Sequence, residues 1–301
     1  MAQQPDYSGR SWALYNADTV DVLHEMPANS IHCAIYSPPF SDLFVYSQSE
    51  RDMGNCASHD EFMEHYGYFA RELHRVMMPG RVVAVHCSDL PKRKSRDGVI
   101  GIHDFSGDLV RAHEAAGFVL HGRVTVWKDP VVEMTRTKAL GLLYKQLKKD
   151  SAMSRPGMAD YVLMFRKDGA NPVPITHSDS GFPVEVWQKA ASPVWWDISQ
   201  TEVLNGYQRA KEGDDERHIC PLQLGVIRNS LALHSRPGEV VLDPFNGIGS
   251  TGFESVRWGR YYVGTELKPS YAKLAAKFLA DAEASQDTLF DVVSRVTSDA
   301  A

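Results

Sequence analysis

The tetrapeptide Ser37-Pro38-Pro39-Phe40 follows an apolar run, Cys33 to Tyr36, that reads as a buried strand. Two prolines end the strand and set a hydroxyl, stiffly held carbonyls and an aromatic ring at the rim of a sheet. Alone, the stretch is as much a proline-rich turn as a site. A second stretch, Val240 to Glu254, reads VVLDPFNGIGSTGFE. An apolar strand runs to Asp243, glycines follow at 247 and 249, and a helix opens near Ser250. A strand, a tight glycine turn and a helix let a ligand approach the backbone where no side chain stands. About twenty residues on, another strand ends at Glu266, where a carboxylate can accept hydrogen bonds from two ribose hydroxyls. Turn and acid together point to a nucleoside-containing cofactor. No GxxxxGK[ST] run exists, which disfavours a phosphate-cradling NTPase.

Strands and helices must position these residues. Seven stretches rich in β-branched and aromatic residues read as strands: 11–16, 31–36, 81–87, 118–127, 161–165, 240–243 and 261–266. The clearest helix spans 59–78, with Phe62, Tyr66, Phe69, Leu73 and Val76 at helical spacing. Ser58 and Glu61 fit a capping box, and Pro79-Gly80 is expected to end this helix. Further helices are expected over 106–116, from Ser250, and from Pro269 to about Ala284. Strands alternating with helices predict an α/β fold, a mostly parallel seven-stranded sheet with helices on both faces.

Bulk properties set limits. Hydrophobic residues make up 43% and charged residues 23%, an ordinary globular balance. No apolar run reaches the roughly 20 residues of a membrane span, and the N-terminus lacks a signal-peptide layout, so a cytoplasmic location is expected. The four cysteines form no CxxC pair, which fits reduced thiols. Cys56 with His59 could supply half a zinc site, but no second pair has ligand spacing, and no metal is expected. The net charge of −6 does not suggest nucleic-acid binding, yet residues 91–96 and 135–155 are locally basic, and a basic face can grip phosphates despite a negative total. Residues 168–217, rich in Pro, Gly, Ser and Trp, interrupt the α/β pattern as an insertion or binding loop. The expected organisation is a first half, 1–167; an insertion, 168–217; a second half of the same domain, 218–284; and a tail, 285–301.

The SPPF tetrapeptide, the DPFNGIGST loop and the GTE strand end together resemble the DNA amino-methyltransferases, which use S-adenosyl-L-methionine to methylate N6 of adenine or N4 of cytosine. The family's tetrapeptide is Asp, Asn or Ser, then Pro-Pro, then Tyr, Phe or Trp. The resemblance covers most of the chain. Asn16-Ala17-Asp18 resembles an adenine-contacting segment, and 217–231 the segment before the cofactor loop, although Ile219 stands where that segment usually has proline. The tetrapeptide precedes the cofactor loop by about 200 residues. That order resembles the permuted beta class, with target recognition between the halves, and implies a Rossmann-like methyltransferase fold.

The resemblance also implies roles. An exocyclic amino nitrogen is a poor nucleophile because its lone pair is delocalised into the ring. Ser37 Oγ and the Pro38 carbonyl would accept its hydrogens, Pro39 would stiffen the turn, and Phe40 would stack on a flipped base. Phe245, Gly247, Gly249, Ser250 and Thr251 would form the cofactor loop. Glu266 would bind the ribose and Asp18 the adenine amino group, unless Asp18 is simply a helix cap, and Asp243 would orient the turn. Serine in first place slightly favours cytosine N4. Lys92, Arg93, Lys94, Arg136, Lys138, Lys145, Lys148 and Lys149 are candidate DNA contacts. Partners are DNA and, as open options, a second copy of the chain and a sliding clamp, because Gln286, Leu289 and Phe290 resemble a clamp-docking peptide. More distant alternatives are a nucleotide-cofactor oxidoreductase and a DNA-binding protein without catalysis.

Overall fold

The computed structural model describes residues 4–41, 49, 51–92, 94–137, 140–177, 182–205 and 221–298. The strands are β1 Tyr7–Ser8, β2 Trp12–Tyr15, β3 Ile31–Tyr36, β4 Met77–Ser88, β5 Leu90–Lys92, β6 Gly101–His103, β7 Phe118–Val126, β8 Asp160–Lys167, β9 Val194–Trp195, β10 Val240–Asp243 and β11 Tyr261–Thr265. The helices are α1 Thr19–Glu25, α2 His59–Val76, α3 Lys94–Asp97, α4 Phe105–Ala115, α5 Pro130–Thr137, α6 Tyr144–Lys149, α7 Val184–Ala190, α8 Leu224–His234, α9 Ser250–Arg257 and α10 Pro269–Ser298.

The main sheet has the order β1-β2-β11-β10-β3-β4-β8-β7-β9. All seven expected strands are present, and two-residue strands at each edge bring the described total to nine. From β2 to β4 every neighbouring pair is parallel, and β8 runs antiparallel between β4 and β7. The pairing of β3 with β10 joins segments distant in the chain, so the tetrapeptide and the glycine turn leave adjacent strand ends.

Alternation along the strands feeds two cores. Cys33 and Ile35 face one, while Ala34 and Tyr36 face the other. The second core is closed by α2, whose Phe62, Tyr66, Phe69, Leu73 and Val76 are all fully buried. Ser58 caps this helix by accepting from Glu61 N, and the returning Glu61 carboxylate accepts from Ala57 N rather than from the cap residue. The helix ends at Val76, two residues before the expected limit, and Pro79-Gly80 lies inside β4 instead of terminating α2. The carbonyls at its end are met by Lys167, whose ammonium donates to those of His74 and Met77, where a cation is favourable.

At the opposite edge of the strands from the tetrapeptide, Arg81 is fully buried. It donates to the carbonyls of His32 and Val173 and pairs with the buried Glu239. One guanidinium thus ties β3, β4, the start of the insertion and the entry to β10. Removing it leaves the buried Glu239 only the Arg236 side chain at 3.3 Å and the Arg236 backbone N–H, so Arg81→Met should cost about 3 kcal/mol, read by denaturant unfolding.

The tail departs from expectation. Helix α10 does not stop near Ala284 but continues to Ser298, and Gln286 donates its side-chain amide to the Val256 carbonyl. In the insertion, Trp195 is buried and donates from its indole to the Ala190 carbonyl, whereas Trp187 and Trp196 are exposed. No helix among the described residues is long and apolar enough to cross a membrane.

Candidate active site

Strands β2, β11, β10 and β3 end side by side, and one cavity opens over their carboxyl ends, the position where open α/β sheets bind ligands. Asp18, the whole of Ser37–Phe40, Asp243, Phe245, Gly247, Ser250, Thr251 and Glu266 line it. Of the proposed catalytic and cofactor residues only Gly249 does not.

The two glycines of the loop therefore have different reasons. Gly247 has φ +52 and nothing within 4 Å of where a Cβ would stand, so its missing side chain keeps the cavity side of the turn open. Gly249 has φ +90, and a Cβ there would meet the Ala275 Cβ at 3.1 Å. Its bareness serves the left-handed cap of α9 and the close approach of α10, not ligand access as expected. Gly252 completes the full G-x-G-x-x-G spacing, a pattern that spacing alone would assign to a dinucleotide. A Cβ at Gly252 would meet Leu279 and Tyr262 at 2.5 Å, so this glycine also serves packing.

Glu266 holds the loop in place. Its Oε2 accepts from Gly247 N at 2.7 Å and its Oε1 from Lys268 N at 2.8 Å. Each carboxylate oxygen has a further lone pair for a hydroxyl donor. Burial pushes this carboxyl up to about 8, against the pull of the two backbone donors. Asn16, expected only as part of an adenine-contacting segment, braces the same strand end by donating to the carbonyls of Glu266 and Leu267. Asp243 accepts from Phe245 N at 3.0 Å, which orients the turn, and burial raises its carboxyl to about 7. Phe245 is fixed by rings on two sides, Tyr36 at 5.7 Å and Phe69 at 4.9 Å.

Asp18 is the N-cap of α1. One oxygen accepts from Val20 N at 2.8 Å, and the other lies 3.4 Å from Arg51 at the cavity rim. The capping explanation for this residue holds, and its place on the cavity wall leaves a ligand contact compatible with it.

The tetrapeptide is anchored from behind. The Tyr36 hydroxyl lies in a buried cluster with Tyr66 at 3.1 Å and His113 at 3.0 Å. His113 Nδ1 donates to the Leu109 carbonyl, so Nε2 accepts from Tyr36. Burial lowers the His113 imidazole to about 4, which keeps it neutral. Ser37 Oγ lies 3.3 Å from His86 Nδ1. The Phe40 ring packs on Phe105 at 6.2 Å.

Cys56 and His59, which could have supplied half a zinc site, face different partners. Cys56 Sγ faces His65 Nδ1 at 3.5 Å, while His59 turns to Asp108. His59, His103 and Asp108 do bring metal-type ligand atoms together. The two Nε2 atoms lie 2.9 and 2.6 Å from one oxygen of Asp108, which as two N–H donors satisfies the trio without an ion. His59 Nδ1 then braces Ser41, the residue after the tetrapeptide, at 2.9 Å.

Comparison with known proteins places the whole chain. The DNA methylase family matches residues 31–277. The type II methyltransferase M.XycI of Xanthomonas campestris pv. cyanopsidis is 25% identical over 89% of this chain and 87% of its own. M.PvuII of Proteus hauseri is 22% identical over 98% and 92%. The solved PvuII DNA methyltransferase, described as cytosine-N4-specific, superposes with a TM-score of 0.65 at 19% identity, covering 92% of this chain and 89% of that one. The Thermus thermophilus protein TTHA0409, solved with S-adenosyl-L-methionine, gives 0.67 at 23% identity over 89% and 93%. A match that runs from the strand bearing the tetrapeptide through the cofactor loop and into the last helix establishes the assignment: the chain belongs to the DNA methylase family, the S-adenosyl-L-methionine-dependent enzymes that methylate exocyclic amino groups of bases.

Proposed function

We propose that this chain methylates the exocyclic amino group of a base flipped out of DNA, with cytosine N4 favoured over adenine N6. The observation that carries the reading is the shared cavity: the tetrapeptide and the glycine loop, far apart in sequence, face one space. The residues fit the donor. Gly247 leaves the backbone open, and Glu266 has acceptor capacity to spare. When bound there, S-adenosyl-L-methionine supplies a methyl carbon on a positively charged sulfur, which takes the bonding pair as it departs. The protein's part is to hold the amino nitrogen in line with that carbon and to accept its hydrogens at Ser37 Oγ and the Pro38 carbonyl. Serine in first place and the cytosine-N4-specific relative support N4. Tritium from methyl-labelled donor should pass to DNA; no transfer by protein that binds the donor would overturn the reading.

DNA would meet a basic and aromatic surface. Lys94, Lys145, Lys148 and Lys149 are exposed, and Lys148 lies over the exposed Tyr144 ring at 5.0 Å. Lys92 is half-buried, Arg93 and Lys138 lie outside the described residues, and the Arg136 side chain does too. Reversing the charges of Lys145, Lys148 and Lys149 together should weaken binding to all sequences alike and flatten the salt slope by up to about 3. Fluorescence anisotropy across a salt series checks this. The 168–217 segment, with Trp187 and Trp196 exposed, is the proposed target-recognition region. Clamp docking through Gln286, Leu289 and Phe290 is a separate proposal. It would have to release Gln286 from Val256 and open the end of α10.

A further inference from the structure

Ser37 is the first member of a row that crosses four adjacent strands. Tyr36 pairs with Val85, so Ser37 comes level with His86. On the next strand Asp160 pairs with Ser88, two residues along from His86, which puts both side chains on one face. Val126 of β7 pairs with Asp160, and Lys128 comes two residues later. The side chains meet in that order. Ser37 Oγ is 3.3 Å from His86 Nδ1, His86 Nε2 is 3.3 Å from Asp160 Oδ2, and Lys128 pairs with Asp160 Oδ1. His86 and Asp160 are 8% and 3% exposed, so water competes little for these contacts.

Building on the amino-methyltransferase reading, we propose that His86, held by Asp160, is a positioning residue that takes the Ser37 hydroxyl hydrogen, turns the serine lone pairs toward the target amine and receives the proton the amine sheds. The tautomer is set by the partners. The Asp160 carboxylate 3.3 Å from Nε2 favours a proton on that nitrogen, although the contact is not aligned as a hydrogen bond, so neutral His86 is assigned Nε2–H and Nδ1 accepts from Ser37. A proton on Nδ1 would instead occupy the serine oxygen and leave the target N–H competing for it. Burial works to raise the Asp160 carboxyl, while the neighbouring His86 and, at Oδ1, the Lys128 ammonium pull it down.

The proton balance closes. As the amino nitrogen gains its methyl group it becomes cationic and carries one hydrogen too many. That hydrogen passes to Ser37 Oγ while the serine hydrogen passes to His86 Nδ1. The product amine is neutral, Ser37 is regenerated, and the imidazolium formed lies against Asp160 until the proton leaves to solvent. No oxidant, reductant or metal is required.

Two measurements test this. Nitrogen-15 NMR of histidine-labelled, donor-free protein should show neutral His86 protonated at Nε2, with the resonance assigned by its loss in His86→Gln. In His86→Gln itself the amide can still face Asp160 and accept from Ser37 but cannot take a proton. Its kcat should fall by about 10²-fold, with donor affinity and KM for DNA unchanged. An Nδ1-protonated His86 in the wild-type protein would overturn the proposal. So would wild-type kcat in His86→Gln beside an inactive Ser37→Ala, a result that leaves the methyltransferase reading standing. Wild-type kcat in Ser37→Ala would instead remove the role of Ser37 on which both rest.

Discussion

Ser37→Ala should lose about 10²–10³-fold in turnover, the cost typical of removing one preorganised hydrogen-bond partner from a transition state. Its affinity for S-adenosyl-L-methionine should stay at the wild-type value. The separation comes from where the residue sits. Ser37 lines the cavity from the end of β3, whereas the loop and the acid assigned to the donor come from β10 and β11. The backbone at Ser37 does not depend on its hydroxyl, because Tyr36 is fixed by Tyr66 and His113 on one side and Pro38-Pro39 stiffens the turn on the other. The variant should therefore fold and bind while failing to activate the amine. Turnover equal to wild type would remove Ser37 from the chemistry.

Glu266→Ala should produce the complementary failure, with donor affinity lower by about 10²-fold through loss of charge-assisted hydrogen bonds. Two effects combine. The ribose loses its acceptor, and Gly247 N and Lys268 N lose theirs, so the loop is no longer held in shape. Glu266→Gln, which keeps one acceptor oxygen, should fall between. The same carboxyl makes donor binding pH-dependent. Burial places it at about 8 in the donor-free protein, while ribose hydroxyls favour the ionised form. Binding near neutral pH should thus release a proton, and affinity should rise with pH until about 8 and then level off. The sign reverses for the stability of donor-free protein. A carboxyl raised above its ordinary value on folding stabilises the fold at low pH, and that contribution is lost as pH rises from the carboxylate range through 8. Titration calorimetry in buffers of different ionisation enthalpy reads the proton directly. Affinity independent of both Glu266 and pH would defeat the ribose assignment.

Much of the candidate site's lining was legible because it is local in sequence. A strand, a glycine turn, a helix start and an acid at the next strand end lie within one stretch of chain, and each has a physical reason visible in residue types. Where tertiary pairing decides, the sequence is silent. Met77 joins β4 because it pairs with Ile31, a contact that no local pattern around Pro79-Gly80 announces. The edge strands β1 and β9 are two residues long, too short to display a period of two. Trp195 and Trp196 are neighbours of identical type, yet consecutive residues of an extended segment face opposite ways, so one is core and the other surface. Gly249 was legible as a turn glycine, but its reason, the approach of Ala275 on α10, was not. His86 and Asp160 are unremarkable in an apolar strand and at a strand start. Only the antiparallel register of β4 and β8 brings them to Ser37.

The central claim is that Ser37 and the Pro38 carbonyl activate the amino group of a flipped base, and the modified base itself tests it most directly. DNA incubated with the protein and S-adenosyl-L-methionine should be digested to nucleosides and resolved by mass spectrometry. N4-methylcytosine, absent from the Ser37→Ala reaction, is the predicted product. N6-methyladenine would contradict the choice of base while keeping the amino-group chemistry, and 5-methylcytosine, a methyl on ring carbon, would contradict the account itself.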